Sequence, residues 1–312
     1  MSRALVVGAG IGGLAAAVDL AGKGVAVEVF EAHDRVGGKA SEQCVDGACF
    51  DTGPSLLTLP EVFRDLFART EADLRDYVEL ITPSPLFRYR WPDGTDLPVH
   101  HALDDTLDSV RDTLGPDAAD QLQRFLRRAR TTWELSAPRF VLGDAPTLGG
   151  VLRMGPLAWL ELGRVDVLRS MQRAIERDVS EPHLRDLLLR YATYNGSDPR
   201  RAPATLNCIA WVELGLGGYG VRGGMHQLAL ALVKRLEELG GAVHTNTPVD
   251  ALITEGGRVT GLRTADQTHH ADAVVVNADV AHLLADLLPG SLKTPKTARS
   301  TSGLTLVVRS KR

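Results

Sequence analysis

The chain has few cysteines and few aromatic residues, no long unbroken apolar run and no surplus of either charge. Its three cysteines among 312 residues, Cys44, Cys49 and Cys208, form no Cys-x-x-Cys pair and have no histidine at zinc-ligand spacing. They support neither a disulfide framework nor a metal site, and a reducing cytoplasm suits them. Lys and Arg number 35 against 39 Asp and Glu, so no basic field attracts a phosphate backbone and nucleic acid is not expected as a partner. The longest apolar stretch, Ala4 to Val18, is broken by glycines and stops at Asp19, too soon for a membrane span. No basic segment with a cleavage site marks a signal peptide, and no fixed-period repeat or low-complexity run is visible. What remains is an ordinary globular composition, 44% hydrophobic and 24% charged, at a length that favours two domains.

The apolar run Leu5 to Val7, the helical stretch from Gly12 to Ala21 and the alternating Val25, Val27 and Val29 predict strand, helix, strand. Between about Pro60 and Met225 the pattern changes to helices with charged faces, such as Ala119 to Arg130 and Pro182 to Tyr191, mixed with proline-containing connectors. A helix returns at Gln227 to Leu239, followed by strand-like Ala242 to Thr247, a hairpin turning at Gly256-Gly257 and a last strand at Ala273 to Val276. The order predicts one α/β domain built from residues 1–65 and 223–285, interrupted by an insertion over 66–222, with 286–312 beginning a returning segment.

Gly8-Ala9-Gly10-Ile11-Gly12-Gly13 fits G-x-G-x-x-G directly after a strand and at a helix start, the context that a dinucleotide-binding turn requires. Gly8 permits the turn, Gly10 admits a pyrophosphate to the backbone and Gly13 lets helix and strand approach. Glu31 closes the second strand, about twenty residues on, where a carboxylate accepts hydrogen bonds from a ribose hydroxyl and repels a 2′-phosphate. FAD and NAD both satisfy these residues.

The choice falls to later residues. Glu31-x-x-x-Arg35-x-Gly37-Gly38-Lys39, followed by Asp51-x-Gly53-Pro54, resembles the amine-oxidase and carotenoid-desaturase class of FAD enzymes. The resemblance implies a glutathione-reductase-like, FAD/NAD(P)-binding Rossmann-like α/β domain with an inserted α+β substrate domain. It also implies FAD as cofactor, Gly37-Gly38 against the ribityl and phosphate groups, and Lys39 contributing positive charge towards the pyrophosphate. Arg35 flanks the same segment, while Gly53-Pro54 reads equally as an ordinary turn. Gly223-Gly224-Met225 to Leu239 and Val249-Asp250-Ala251-Leu252-Ile253 resemble the family's return to the FAD domain, with Val249 as the adenine contact. Asp279 reads as the N-cap of a helix beginning at Val280.

Arg190-Tyr191-Ala192-Thr193-Tyr194-Asn195-Gly196-Ser197, with Ala202-Pro203-Ala204-Thr205, resembles bacterial phytoene desaturases and, more closely, hydroxycarotenoid 3,4-desaturases. The implied activity is removal of a hydride and a proton from a C–C bond beside a polyene, on an apolar carotenoid-like substrate. An amine- or porphyrinogen-oxidising flavoenzyme and an inactive FAD-binding remnant or split-enzyme subunit are the alternatives. Tyr191 and Tyr194 read either as packing residues with wet hydroxyls or as pocket lining. Leu148 to Leu168, with Leu152, Met154, Leu157, Trp159 and Leu160 beside Arg153 and Arg164, reads either as a membrane-surface helix or as a core helix with a polar edge. Peripheral membrane contact therefore stands beside a cytoplasmic location. His100-His101 and His269-His270 read as exposed pairs without metal chemistry, and no Ser/His/Asp arrangement marks a catalytic group. Family members run on beyond this length. Arg299 to Val308 is expected to open a strand of the substrate sheet before the basic Arg309-Ser310-Lys311-Arg312 ends a shortened chain, leaving an unpaired edge and weak flavin retention.

Overall fold

The structure is a computed structural model that describes residues 2–143, 166, 168–290 and 305–308. β1 (Arg3–Val7) is apolar and buried from Ala4 onward because parallel neighbours flank it, a helix packs on one face, and Leu5 and Val7 pack on the other into a core with Leu252, Leu262 and Leu287. The chain then turns at Gly8 into α1 (Ile11–Gly22), whose buried Leu14, Ala17, Val18 and Ala21 fall at helical spacing on one face. β2 (Ala26–Phe30) pairs parallel with β1, Val6 opposite Val29. On the other side of β1 lies the strand Ala273–Val276, Leu5 opposite Val274, and beyond β2 lies Ala242–His244. The four-stranded sheet is parallel throughout, with β1 and β2 at its centre. The chain leaves β1 on one side and returns on the other, which opens a crevice at the carboxyl ends of the strands.

The helix His226–Glu238 packs on α1 and stops where Gly240 turns at φ 84°. Strands Val249–Glu255 and Arg258–Thr264 form the expected hairpin at Gly256-Gly257, both with positive φ, and Thr268–His270 adds a third strand.

A second hairpin, Glu42–Val45 with Ala48–Asp51, corrects the cysteine reading. Its turn at Asp46-Gly47 sets Cys44 directly opposite Cys49, and the two form a disulfide. Counting Cys-x-x-Cys spacings missed this because the Asp-Gly turn, a hairpin signal in its own right, fixes the register. Glu42 lies beside the two sulfurs, which as a disulfide offer no thiolate to a metal. Cys208 is buried, and burial pushes its thiol up to about 11.

The contacts divide the described chain into two units, one running to Ile81 and resuming at Gly220, the other running from Thr82 to Tyr219. The change of sequence pattern predicts boundaries at 65/66 and 222/223. The difference arises because helix Glu61–Arg69 packs on α1, and because Leu80–Ile81 pairs with Gly220–Val221.

The Thr82–Tyr219 unit combines one hairpin, Phe87–Arg90 with Asp96–Val99, and helices Leu103–Leu114, Pro116–Ser136, Met171–Asp178 and Pro182–Leu189. Leu122, Phe125, Leu126 and Ala129 carry the buried stripe of the long helix into a core with Val99, Val110, Ile175 and Leu188. Pro182 starts its helix, and the Glu181 carboxylate caps it by accepting from the Leu184 N–H.

His183 in the same turn lies between two carboxylates, Nδ1 2.9 Å from Glu181 Oε1 and Nε2 2.7 Å from Asp93 Oδ2. The hydrogen bond to Glu181, then that to Asp93, raises its pKa above the ordinary 6.5. The stabilisation is therefore complete below that ordinary value and is lost as pH rises through the raised one. Urea midpoints measured between about pH 6 and 9 should fall more steeply for the wild type than for His183→Gln. Parallel curves would remove His183 as the source.

The histidine pairs are not exposed as expected. His100 and His101 are half-buried, with the His101 Nδ1 2.9 Å from the Gly218 carbonyl oxygen and its ring edge-on to Tyr219. His269 is buried against Phe30 because strand alternation turns it inward and His270 outward, and burial lowers its pKa. Asp279 is an N-cap, accepting from the Ala281 N–H at 2.8 Å. The segment Leu148 to Leu168 lies outside the described residues, apart from Asp166 and Leu168. Among the described residues no helix is long and apolar enough to cross a membrane. Of the expected strand at Arg299 to Val308, Thr305–Val308 are described and are not in a strand; Leu306 and Val308 are exposed and the Thr305 hydroxyl donates to the Thr52 carbonyl at 3.0 Å.

Candidate dinucleotide site

At the carboxyl end of β1, Gly8 has φ 94°, a conformation open to glycine without strain. Its N–H donates to the Phe30 carbonyl at 2.8 Å and ties the ends of β1 and β2 together. Gly10 stands at the N-cap of α1 with extended backbone and no side-chain cap, and the first turn carries no acid. Leu14 is the first residue whose N–H reaches back to the Gly10 carbonyl, at 2.9 Å. The N–H groups of Ile11, Gly12 and Gly13 precede that bond and sit at the positive end of the helix dipole, a setting for an anion. A Cβ on Gly13 would stand 2.1 Å from the Gly8 carbonyl oxygen, so helix and strand approach as the motif requires.

Glu31 follows β2 directly and is buried. Its Oε2 accepts from the Ala9 N–H at 2.8 Å and its Oε1 from the His33 N–H at 3.0 Å, which fixes the carboxylate beside the glycine turn. The backbone of Glu31 is tied in turn to His244 and Thr247. A cavity of about 380 Å³ opens here, lined by Gly8, Glu31, His33, Val249, Asn277 and their neighbours. Val249 is half-buried and pairs with Thr264 at the start of its strand.

The second glycine pair meets the first. The Gly37 N–H donates to the Ala9 carbonyl at 2.8 Å, and Gly37 bridges Gly10 in parallel. A Cβ on Gly38 would lie 3.2 Å from Gly10 Cα, so the segment runs against the turn that an anion would occupy. Lys39 is exposed and makes no ion pair among the described residues. Gly53 packs against the Lys39 backbone, where a Cβ would come within 1.8 Å of the carbonyl oxygen. Asp51 Oδ1 accepts from the Met225 N–H at 2.8 Å and joins this hairpin to the entry of the returning helix. Arg35 stands apart, donating to the Glu42 carbonyl at 3.0 Å and pairing with Asp34 at 3.6 Å.

Sequence reasoning missed Asn277 in this site. It ends the strand Ala273–Val276, its N–H donates to the Val7 carbonyl at 2.8 Å, and its side chain lies where a Cβ on Gly10 or Gly12 would reach, at 3.0 and 2.8 Å. The available signal was a polar residue directly after an apolar parallel strand, at the end where α/β sheets bind ligands.

In the Thr82–Tyr219 unit, Tyr191 and Tyr194, readable as packing residues with wet hydroxyls or as pocket lining, instead donate their hydroxyls to a carboxylate. Tyr191 is fully buried and donates to Glu213 Oε1 at 2.8 Å; Tyr194 and Arg190 also donate to Glu213, which is itself fully buried. Glu213 was missed because it sits in an apolar stretch, Trp211 to Leu216, without a motif around it.

A parallel sheet, a glycine turn at its switch point and an acid closing the second strand define the fold of a dinucleotide-binding oxidoreductase. A family model described as flavin containing amine oxidoreductase matches residues 11–308, and the chain belongs to that family, with FAD as its cofactor. The chain is 34% identical over 310 residues to 4,4'-diapolycopene oxygenase of a Methylomonas species, covering 97% of this chain and 62% of that protein. It is 32% identical over 278 residues to 4,4'-diaponeurosporene oxygenase of Staphylococcus aureus strain USA300, covering 88% and 55%. The chain thus spans less than two thirds of these relatives' length. Among solved structures, an oxidoreductase from Methanosarcina mazei aligns with a TM-score of 0.59 at 20% identity over 88% of this chain and 58% of that one. Putrescine oxidase bound to putrescine aligns at 0.56 and 18%, over 88% and 57%. Both show the fold.

Proposed function

We propose that this chain seats the FAD diphosphate on the N–H groups of Ile11, Gly12 and Gly13 and a ribose on Glu31, and that it oxidises a long apolar polyene of the carotenoid class. The buried Glu31 carboxylate, facing a cavity shared with Gly8 and Val249, carries this reading. Gly10 leaves the diphosphate room, Gly37-Gly38 extend the same backbone surface, and Lys39 offers an unpaired positive charge. Ala9 and Val249 complete the set, Val249 as the adenine contact, and Arg35 and Gly53 hold the segment between them in place. Bound there, FAD accepts the hydride that leaves the substrate. No side chain is assigned as a general base.

The relatives are named as oxygenases, which favours a second reading in which oxygen enters the polyene end. Incubation of the flavin-loaded chain with carotenoid in membranes, followed by absorption and mass spectra, separates the two. Desaturation lengthens the chromophore with loss of hydrogen, whereas oxygenation adds oxygen. An unchanged carotenoid counts against both.

Glu31→Gln tests the ribose contact. The amide sets an N–H against either the Ala9 or the His33 N–H, and FAD affinity should fall about ten- to a hundredfold, the value of one charge-assisted hydrogen bond. Flavin fluorescence titration measures it, and unaltered affinity would remove Glu31 from the site.

A further inference from the structure

The Thr82–Tyr219 unit contains a cleft of about 510 Å³, none of whose lining residues is among those proposed to hold FAD. Arg124, Arg127 and Arg128 line it from the long helix, one and two turns before Thr131 on the same face, while the buried Phe125 and Ala129 form its apolar floor. Arg169 and Arg177 line it from the neighbouring segment. Among the described residues two carboxylates stand against these five cations. Asp178 is shared by Arg128 and Arg177, and Asp166 pairs with Arg169 at 2.5 Å. Arg124 and Arg127 make no ion pair among the described residues, so the cleft keeps a positive surplus in a protein of net charge −4. Like charges three and four residues apart on a helix repel each other, and the packing of this helix does not call for them, because its buried stripe is made by other residues.

A second observation comes from another residue of the lining. Asn207 lines the cleft with 8% of its surface exposed, and its Oδ1 is buried without a hydrogen-bond partner among the described residues. A buried amide oxygen left unpaired costs free energy unless a ligand or water meets it. An arginine cluster presents forked donors matched to phosphate oxygens, and Asn207 lines the same cleft.

We propose that this cleft binds a phosphate-bearing anion of at least two negative charges, held by Arg124 and Arg127. Two sources share that chemistry, a soluble pyrophosphate and the phosphate headgroup of an anionic lipid. Calorimetric titration of the full chain with inorganic pyrophosphate, and co-sedimentation with phosphatidylglycerol or phosphatidylcholine vesicles, test both. The paired variant Arg124→Gln/Arg127→Gln alters exposed side chains outside the core, and its melting temperature checks the fold. Arg130→Gln, on the same helix but paired with Glu134 outside the cleft, controls for surface charge. Pyrophosphate binding that weakens about tenfold or more in the paired variant and not in the control supports the proposal with a soluble ligand. Sedimentation with phosphatidylglycerol alone, lost in the paired variant and kept in the control, supports it with a headgroup. Absence of both, or binding that the paired variant leaves unchanged, overturns it.

Discussion

Gly10→Val should give a folded protein that purifies without yellow colour. A Cβ at this position would stand 3.0 Å from Asn277 Oδ1, the end of a side chain that can give way, so the sheet and α1 survive. What the valine removes is the space above the first turn of α1, where the proposed seat of the diphosphate requires it to come within hydrogen-bonding distance of backbone N–H groups. Each charge-assisted bond lost there is worth about 1.5–3 kcal/mol, so FAD affinity should drop by about a hundredfold or more. The ratio of flavin absorbance to protein after gel filtration reads this directly. Stoichiometric flavin in the variant would sink the placement. Gly13→Ala differs in kind: its Cβ would meet the Gly8 carbonyl oxygen at 2.1 Å, backbone against backbone. Helix and strand must separate, at a cost of about 1–3 kcal/mol or more, and this variant should lose thermal stability together with flavin.

The two glycines show what kind of information the chain carries locally. The β1–α1–β2 unit is legible because every requirement falls within thirty residues: an apolar strand, a turn that needs positive φ at Gly8, a helix without a side-chain cap, and an acid at the next strand end. The Gly256-Gly257 hairpin is legible for the same reason. Asn277 is not, since its importance comes from the parallel pairing of Ala273–Val276 with β1, a contact across some 270 residues that no local spacing encodes. The Cys44–Cys49 disulfide lies between these cases. Its signal was local, an Asp-Gly turn with cysteines at mirrored positions, but reading cysteines by metal-ligand spacing passed over it. His269 shows the remaining limit: a pair of adjacent histidines reads as polar surface, yet strand alternation and the ring of Phe30 put one of them in the core.

Glu213 presents the strongest case of information the sequence hides, and it carries the other large expected effect. The Arg190 guanidinium lies 4.8 to 5.7 Å from the ring centres of Phe87, Tyr89, Tyr191 and Tyr194 and donates to the buried carboxylate. Burial pushes Tyr89 up to about 12 and raises Tyr191 and Tyr194 as well, with the charge of Glu213 acting in the same direction. The three phenols therefore stay neutral at physiological pH, and those of Tyr191 and Tyr194 donate to Glu213. Replacing Glu213 by leucine strands a guanidinium beneath aromatic rings and leaves two hydroxyls without their acceptor. Breaking a buried pair from one side costs about 3–5 kcal/mol, and because Arg190 keeps some exposure the lower end, about 3 kcal/mol, is expected. Removing both ions, as Glu213→Leu with Arg190→Met, should recover part of that loss, because the double variant no longer holds an uncompensated charge. Denaturant unfolding followed by the fluorescence of Trp91 and Trp211, which pack on this core, measures each variant. A single-variant loss below about 1 kcal/mol, within the ordinary range of point changes, would mean that the carboxylate is not what holds the tyrosines and the arginine together.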